Sequence, residues 1–123
     1  MTFNAADYSF SGPDTVPAGW TSIRLVNQGQ EPHHLTLLKL AEGRTVADFM
    51  NAMQSDAPPP PGLFTEEGGP NGITPGTDAI AVVNLEPGTY ILACFSPSPD
   101  GTPHIAKGMM KPLTVTPAPT GAG

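Results

Sequence analysis

The segment Cys94–Met109 contains three side chains of types that bind soft metal ions. Its sequence is CFSPSPDGTPHIAKGM, and it holds the only cysteine of the chain, one of three histidines and one of five methionines. A thiolate, a neutral imidazole and a thioether together form a soft to borderline ligand set. The segment therefore predicts that Cys94, His104 and Met109 contribute to one metal site.

The other two histidines are adjacent, in the stretch NQGQEPHHL. One of them would complete a set of two histidines, one cysteine and a weak axial methionine, which is typical of blue-copper electron-transfer sites. Because side chains alternate along a strand, His33 shares its face with Leu35, whereas His34 shares the more solvated face of Thr36. His33 is therefore the preferred ligand. His34 is expected to point outward or to lie beside the site, unless a bulge reverses the two.

The loop between Cys94 and His104 is rich in proline and glycine. Its SPDG sequence, residues 98–101, predicts a tight turn with proline second and glycine fourth. Gly108 allows the backbone to bring Met109 toward the site. The prolines reduce the entropy lost when the loop becomes ordered. These features predict a stiff frame, which suits a metal that changes oxidation state, because little has to move.

The remaining sequence predicts short strands in an all-β fold. Strands are expected at ADYSF, WTSIRLVNQG, HHLTLLKL, TDAIAVVNL, TYILACF and KPLTVT. TYILACF is apolar on both faces, as in a central strand that is covered on both sides. Turn-rich segments such as SGPDTVPAG and TEEGGPNGITPG separate the strands. Six or seven strands without a βαβ rhythm indicate an antiparallel sandwich with Greek-key connections.

One amphipathic helix is expected at residues 45–54. Its apolar side chains recur at helical spacing and are expected to lie in the core: Val46, Phe49, Met50 and Met53. Thr45 and Asp48 form the capping-box pattern of a helix start. The following APPPPG sequence is expected to end the helix.

Length and composition limit the possible partners. The chain has 123 residues and a formal charge of −6, which argues against nucleic-acid or anionic-membrane binding. A single domain is expected at residues 1–116, followed by a disordered tail or linker at 117–123. Residues 1–20 lack the basic start and apolar stretch of a signal peptide. A single cysteine cannot form an internal disulfide.

Four sequence motifs resemble the cupredoxin family. GTYILACF resembles the last core strand of plastocyanin-type cupredoxins, and NQGQEPHH resembles their N-x-G-x-P-H stretch with one extra residue. HIAKGM has their H-x-x-x-G-M spacing, and KPLTVT resembles their closing strand. The resemblance covers about residues 5–116 and is weakest over the insert 41–75.

This resemblance implies a cupredoxin-like Greek-key β-sandwich with a short helix in the insert. It further implies one type 1 copper ion, held by His33, Cys94, His104 and Met109. The expected function is electron transfer between Cu(I) and Cu(II). The resemblance also implies an exported, periplasmic or extracellular monomer that docks redox protein partners near the His104 edge. A membrane anchor outside this chain is compatible with it.

Two features depart from the family pattern. Nine residues separate Cys94 from His104. This gap is longer than in plastocyanin-like or azurin-like proteins, and nearer to that of the copper nitrite reductase type 1 site. The chain also lacks the H-C-H arrangement of multicopper oxidases and has no further histidines for a trinuclear cluster. An electron carrier is therefore expected rather than an enzyme.

Several alternatives remain at this stage. The chain could be a copper-binding module for delivery, storage or sensing, or a metal-free partner-binding domain. The ligand set would also accept zinc, and Met110 could replace Met109. A hydrolytic pairing of Cys94 with His104 is disfavoured, because no motif supplies an orienting group or an oxyanion site.

Overall fold

A computed structural model describes residues 1–54 and 62–118, which form two packed β-sheets. The strands in these ranges are β1 (Thr2–Ala6), β2 (Ser9–Ser11), β3 (Thr15–Pro17), β4 (Gly19–Asn27), β5 (Thr36–Leu40), β6 (Phe64–Glu66), β7 (Asp78–Leu85), β8 (Gly88–Ala93) and β9 (Met110–Thr116). One α-helix, α1 (Val46–Gln54), follows β5, and a 3-10 turn spans His104–Lys107.

The strand order is β2-β1-β4-β7 in the first sheet and β3-β9-β8-β5-β6 in the second. The β1–β4 and β3–β9 pairs are parallel, and the remaining pairs are antiparallel. The expected all-β sandwich is confirmed, whereas the purely antiparallel pairing is wrong. Short strands β3 and β6 lie within or next to segments predicted as turns and loops. These two segments form strands because they pair with a neighbouring strand, and not because of their own side-chain pattern.

Strand β8 lies at the centre of the second sheet and is buried on both faces, as its apolar sequence predicts. Tyr90 and Leu92 pack into the main core between the sheets. Ile91 and Ala93 pack into a second core on the outer face, which also contains Phe49 of α1. Because both faces are covered, β8 is a rigid base for Cys94, the residue that follows it.

Helix α1 begins with the predicted capping box. The Asp48 carboxylate accepts the Thr45 N–H at 2.9 Å, and the Thr45 hydroxyl accepts the Asp48 N–H at 3.1 Å. Phe49 is fully buried, and its ring meets that of Phe64 edge-on at 5.8 Å between centroids. The expectation that Met50 lies in the core is wrong, because its side chain is 43% exposed. The buried stripe of the helix is narrow, and Met50 lies at its edge.

Two predictions fall largely outside the described ranges. Residues 55–61, with the whole proline run, and residues 119–123 of the tail are not described. In the described ranges, no helix is long and apolar enough to cross a membrane.

Candidate metal centre

Three potential metal ligands meet at one end of the sandwich. His33, Cys94 and His104 are all completely buried. The two Nδ1 atoms lie 3.1 Å apart, and the Cys94 Sγ lies 3.9 Å from Nδ1 of His33 and 3.5 Å from Nδ1 of His104. We call these three side chains the donor cluster. Cys94 and His104 lie in one loop, whereas His33 lies in the segment before β5, and the pairing of β5 with β8 brings the two segments together.

The position of His33 is set by a short bridge to Ile73. Their backbones exchange two hydrogen bonds, of 3.0 and 2.9 Å. The buried side chain of Asn27 donates to the carbonyls of Glu31 and Ile73 and accepts the Gly29 N–H, at 2.9 to 3.0 Å. A Cβ atom at Gly29 would lie only 2.8 Å from Nε2 of His33. The loop before His33 is thus held by Asn27 and needs glycine at this close approach.

An Asn27→Ala substitution is expected to lower the free energy of unfolding by about 2–4 kcal/mol, because three hydrogen bonds are lost and buried groups become unpaired. Chemical denaturation of the metal-free protein measures this loss. Asn84→Ala is the matched control, since Asn84 is exposed on β7. Equal losses for the two variants would contradict the role given to Asn27.

The long loop between Cys94 and His104 folds as a small hairpin. The His104 N–H donates to the Ser96 carbonyl and the Ser98 N–H donates to the Thr102 carbonyl, both at 2.8 Å. The Gly101 N–H closes the expected turn onto the Ser98 carbonyl at 2.8 Å. The extra residues therefore project as a closed finger. Because Ser96 and His104 are bonded to each other, the finger does not separate the ligands at its base.

Met109 is tied to the donor cluster through its backbone. Its N–H donates to the His104 carbonyl at 3.1 Å, and its carbonyl accepts the Cys94 N–H at 3.3 Å. The side chain of Met109 is completely buried in the same core as Cys94. Met110 instead packs against the second core, on the other face of the sheet. Of these two methionines, Met109 shares a core with the thiol.

A carboxylate accepts the outer N–H of each histidine in the cluster. His33 Nε2 lies 2.7 Å from Asp7 Oδ1, and His104 Nε2 lies 2.9 Å from Glu31 Oε1. Each neutral imidazole has a single N–H, which these contacts use. Both Nδ1 lone pairs therefore face each other and the thiol. Such a buried set of electron pairs is suited to a cation, and a carboxylate behind each histidine is typical of metal sites.

The local pKa values favour this arrangement. Burial lowers the pKa of His33, although Asp7 opposes the shift, so the neutral ligand form is preferred. Burial raises the pKa of Asp7, but bonds from the backbone of Gln30, from His33 and from the backbone of Glu31 outweigh it, and the net pKa is lowered. Asp7 is therefore ionised at neutral pH.

Tyr8 and Glu31 cover the outer side of His104. The Tyr8 hydroxyl donates to Glu31, which lowers the pKa of Glu31 and raises that of Tyr8 to about 12. The Tyr8 ring lies 5.0 Å from that of His104, and Lys107 Nζ lies 4.9 Å from the Tyr8 centroid. The imidazole of His104 is therefore not itself exposed, and the surface next to it consists of these neighbouring side chains.

His34 borders the cluster without joining it. Its Nε2 accepts the Phe95 N–H at 2.8 Å, which leaves Nδ1 to donate to Ser96 Oγ at 3.2 Å. The His34 backbone N–H points to Cys94 Sγ at 3.5 Å. Burial lowers the pKa of His34, and this favours the neutral form that the Phe95 contact requires. His34 thus holds the two residues that follow the thiol.

The spacing of the donor cluster fits a single metal ion. Zinc bonds to imidazole nitrogen and thiolate sulfur are about 2.0 and 2.3 Å long, so three such ligands in one plane lie about 3.5–3.7 Å apart. The separations of 3.1, 3.5 and 3.9 Å within the donor cluster bracket this range. The third donor atom of the cluster is the sulfur of Cys94, and the buried thioether of Met109 lies in the same core. Such sulfur donors favour copper over harder metals.

Sequence reasoning missed Asp7, Glu31 and Tyr8. Glu31 is visible in the stretch QEPHH, directly before the histidine pair. Asp7 lies 26 residues before His33, and no local pattern connects the two. From the sequence alone, an acidic residue in a loop is expected to be solvated. Its contact with a histidine becomes apparent only once the fold is known.

Solved structures with a similar fold include three auracyanins. Reduced auracyanin from the photosynthetic bacterium Roseiflexus castenholzii is 21% identical, with a TM-score of 0.65, covering 94% of this chain and 95% of that one. Auracyanin B is 23% identical, with a TM-score of 0.64, covering 95% and 88%. Auracyanin A, a blue copper protein from the green thermophilic bacterium Chloroflexus aurantiacus, is 23% identical, with a TM-score of 0.55, covering 94% and 98%.

No protein-family model matches the chain. No curated protein matches it either. The structural likeness spans nearly the whole chain and confirms the expected cupredoxin-like β-sandwich.

Proposed function

We propose that this chain, which has the β-sandwich fold of the auracyanins, is a type 1 copper protein that transfers single electrons. His33, Cys94, His104 and Met109 are the proposed ligands of one copper ion. The observation that carries the proposal is the convergence of two imidazole lone pairs and one thiol in a fully buried site. A copper ion held there would alternate between Cu(I) and Cu(II) and so carry one electron.

The chain holds the proposed ligands rigidly and places negatively charged carboxylates next to the two histidines. Asp7 and Glu31 orient the two imidazoles, and the backbone of His34 donates toward the thiolate. The base of the ligand loop is closed by hydrogen bonds. Since the ligands are held by contacts that need not change between oxidation states, little reorganisation accompanies electron transfer.

Redox partners are proposed to dock near the His104 edge. Because this imidazole is buried, the contact surface is formed by Tyr8, Glu31 and Lys107, which cover it.

The chain is proposed to work as an exported monomer in the periplasm or outside the cell. It is proposed to be an electron carrier and not an enzyme.

Adding Cu(II) to the metal-free protein tests the proposal. We expect one equivalent to produce an intense thiolate-to-copper charge-transfer band in the visible spectrum and a reversible one-electron reduction. His33→Ala should abolish the band, whereas His34→Ala should retain it with altered intensity, because His34 bonds to the residues that follow Cys94.

Three outcomes would contradict parts of the proposal. Loss of the band only in His34→Ala would reverse the ligand assignment. Tight binding of Cu(I) without any band for Cu(II) would favour copper delivery or storage. A protein that binds no copper would refute both functions.

A further inference from the structure

A second group of sulfur ligands lies outside the donor cluster. An apolar cleft of about 460 Å³ is lined, among the residues that the structure describes, by Met50, Met53, Ile105, Ala106, Gly108 and Met110. None of these side chains carries a charge, a nitrogen or an oxygen. Among these described residues of the methionine cleft, the three methionines are the ones whose side chains can bind a metal ion.

The three methionines come from two different elements. Met50 and Met53 are three positions apart on α1, which places them on neighbouring parts of one helix face. Met110 is the first residue of β9. Met53 and Met110 are half-buried and pack against the second core, together with Ile105. Met50 is the most exposed of the three, at 43%.

The chemistry of this lining is selective. Thioethers are neutral, soft ligands that prefer Cu(I) to hard cations such as calcium or magnesium. They have no proton to lose, so their binding does not depend on deprotonation.

We propose that Met50, Met53 and Met110 form a surface site that captures Cu(I) and passes it to the donor cluster. The inference rests on the proposed copper function and extends it to metal loading.

The cleft and the donor cluster share one wall. The 3-10 turn His104–Lys107 places Ile105 and Ala106 on the cleft side, while His104 belongs to the cluster. Met110 follows Met109, and the two side chains lie on opposite faces of the sheet. The turn that carries His104 therefore forms part of both the cleft and the donor cluster.

The transfer is a ligand exchange without electron movement. Bonds from the ion to the thioethers break, and bonds to the two Nδ1 atoms and to Cys94 Sγ form. The thiol of Cys94 releases its proton to solvent as the sulfur binds. The metal remains Cu(I) throughout, so no oxidant or reductant is needed.

Methionine-methyl NMR with Ag(I), a stable substitute for Cu(I), tests the site in a Cys94→Ser variant that lacks the thiolate. We expect the methyl signals of Met50, Met53 and Met110 to shift together with one equivalent. Met1 serves as an internal control, because it packs on the main core near the other sheet. In the same Cys94→Ser background, replacing all three cleft methionines with leucine conserves volume and should remove the one Ag(I) equivalent bound at the cleft, without affecting any Ag(I) held by His33 and His104. Unshifted signals would overturn the inference.

Loading kinetics distinguish this inference from the proposed function. In the triple leucine variant, formation of the copper site from Cu(I) should slow at least roughly tenfold through loss of the soft ligands, whereas loading from Cu(II) should be unchanged. Equal Cu(I) loading in both proteins, with a normal coloured site after oxidation, would refute only the methionine site. If the wild type forms no coloured site but Ag(I) still shifts the three methyl signals, the proposed electron-transfer function fails and the surface site stands.

Discussion

A Cys94→Ser variant is expected to bind Cu(II) without the visible charge-transfer band. The thiolate is the covalent ligand of the proposed site, and a serine hydroxyl is a much weaker and harder ligand. Removing an outer hydrogen-bond partner of a metal site typically costs about 10–100-fold in affinity. Loss of a direct ligand should cost more, as measured by competition with a Cu(I) chelator and by visible titration with Cu(II).

This result must be separated from unfolding. Cys94 is fully buried at the end of β8, but its neighbours in the cluster are two polar imidazoles, so a hydroxyl has partners there. The metal-free variant should therefore keep the circular dichroism spectrum and denaturation midpoint of the metal-free wild type. A folded Cys94→Ser protein that retains the wild-type band would exclude a thiolate–copper site.

A Glu31→Gln variant is expected to raise the reduction potential by tens of millivolts. The Glu31 carboxylate accepts the outer N–H of His104 at 2.9 Å and is kept ionised by the hydroxyl of Tyr8. A negative charge one imidazole away from the metal stabilises Cu(II) more than Cu(I), because the oxidised ion carries the greater charge. Removing that charge favours the reduced state, which spectroelectrochemical titration measures.

Glutamine has nearly the same shape as glutamate and can still bond to both Tyr8 and His104. The substitution therefore removes charge while retaining the cover over the imidazole. Glu42→Gln is the matched control, because Glu42 is exposed beyond the far end of β5, about 20 Å along the strand from Thr36. Equal shifts for the two variants, or a downward shift for Glu31→Gln, would contradict direct tuning by Glu31.

The unusual length of the ligand loop has a structural explanation. Nine residues separate Cys94 from His104, yet the Ser96 carbonyl and the His104 N–H are hydrogen-bonded. The finger beyond this bond is closed on itself through Ser98 and Thr102. The hairpin accommodates the additional residues beyond the Ser96–His104 hydrogen bond.

Local sequence patterns predicted those elements whose structure depends on residues that are close together in the chain. The two apolar faces of β8 predicted a central strand, and the Thr45–Asp48 pair predicted the start of α1. The turn at residues 98–101 followed from its proline and glycine. In each case the determining atoms are within a few residues of one another, so the sequence carries the information directly.

The sequence also predicted the types of the proposed ligands and their order along the chain. Cys94, His104 and Met109 lie in one segment, and only two further histidines exist. Strand alternation favoured His33 over His34, and the structure places His33 in the donor cluster and His34 beside it. Strand alternation made this prediction possible because it places His33 on the same buried face as Leu35.

Tertiary structure alone decided the surroundings of the site. The Glu31–His104 contact joins residues 73 positions apart, and the Asp7–His33 contact joins residues 26 apart. The burial of His104 and the exposure of Met50 likewise depend on which segments pack over them. Such contacts arise when the two sheets close, so they depend on the relative position of distant strands, which no local spacing of residues encodes.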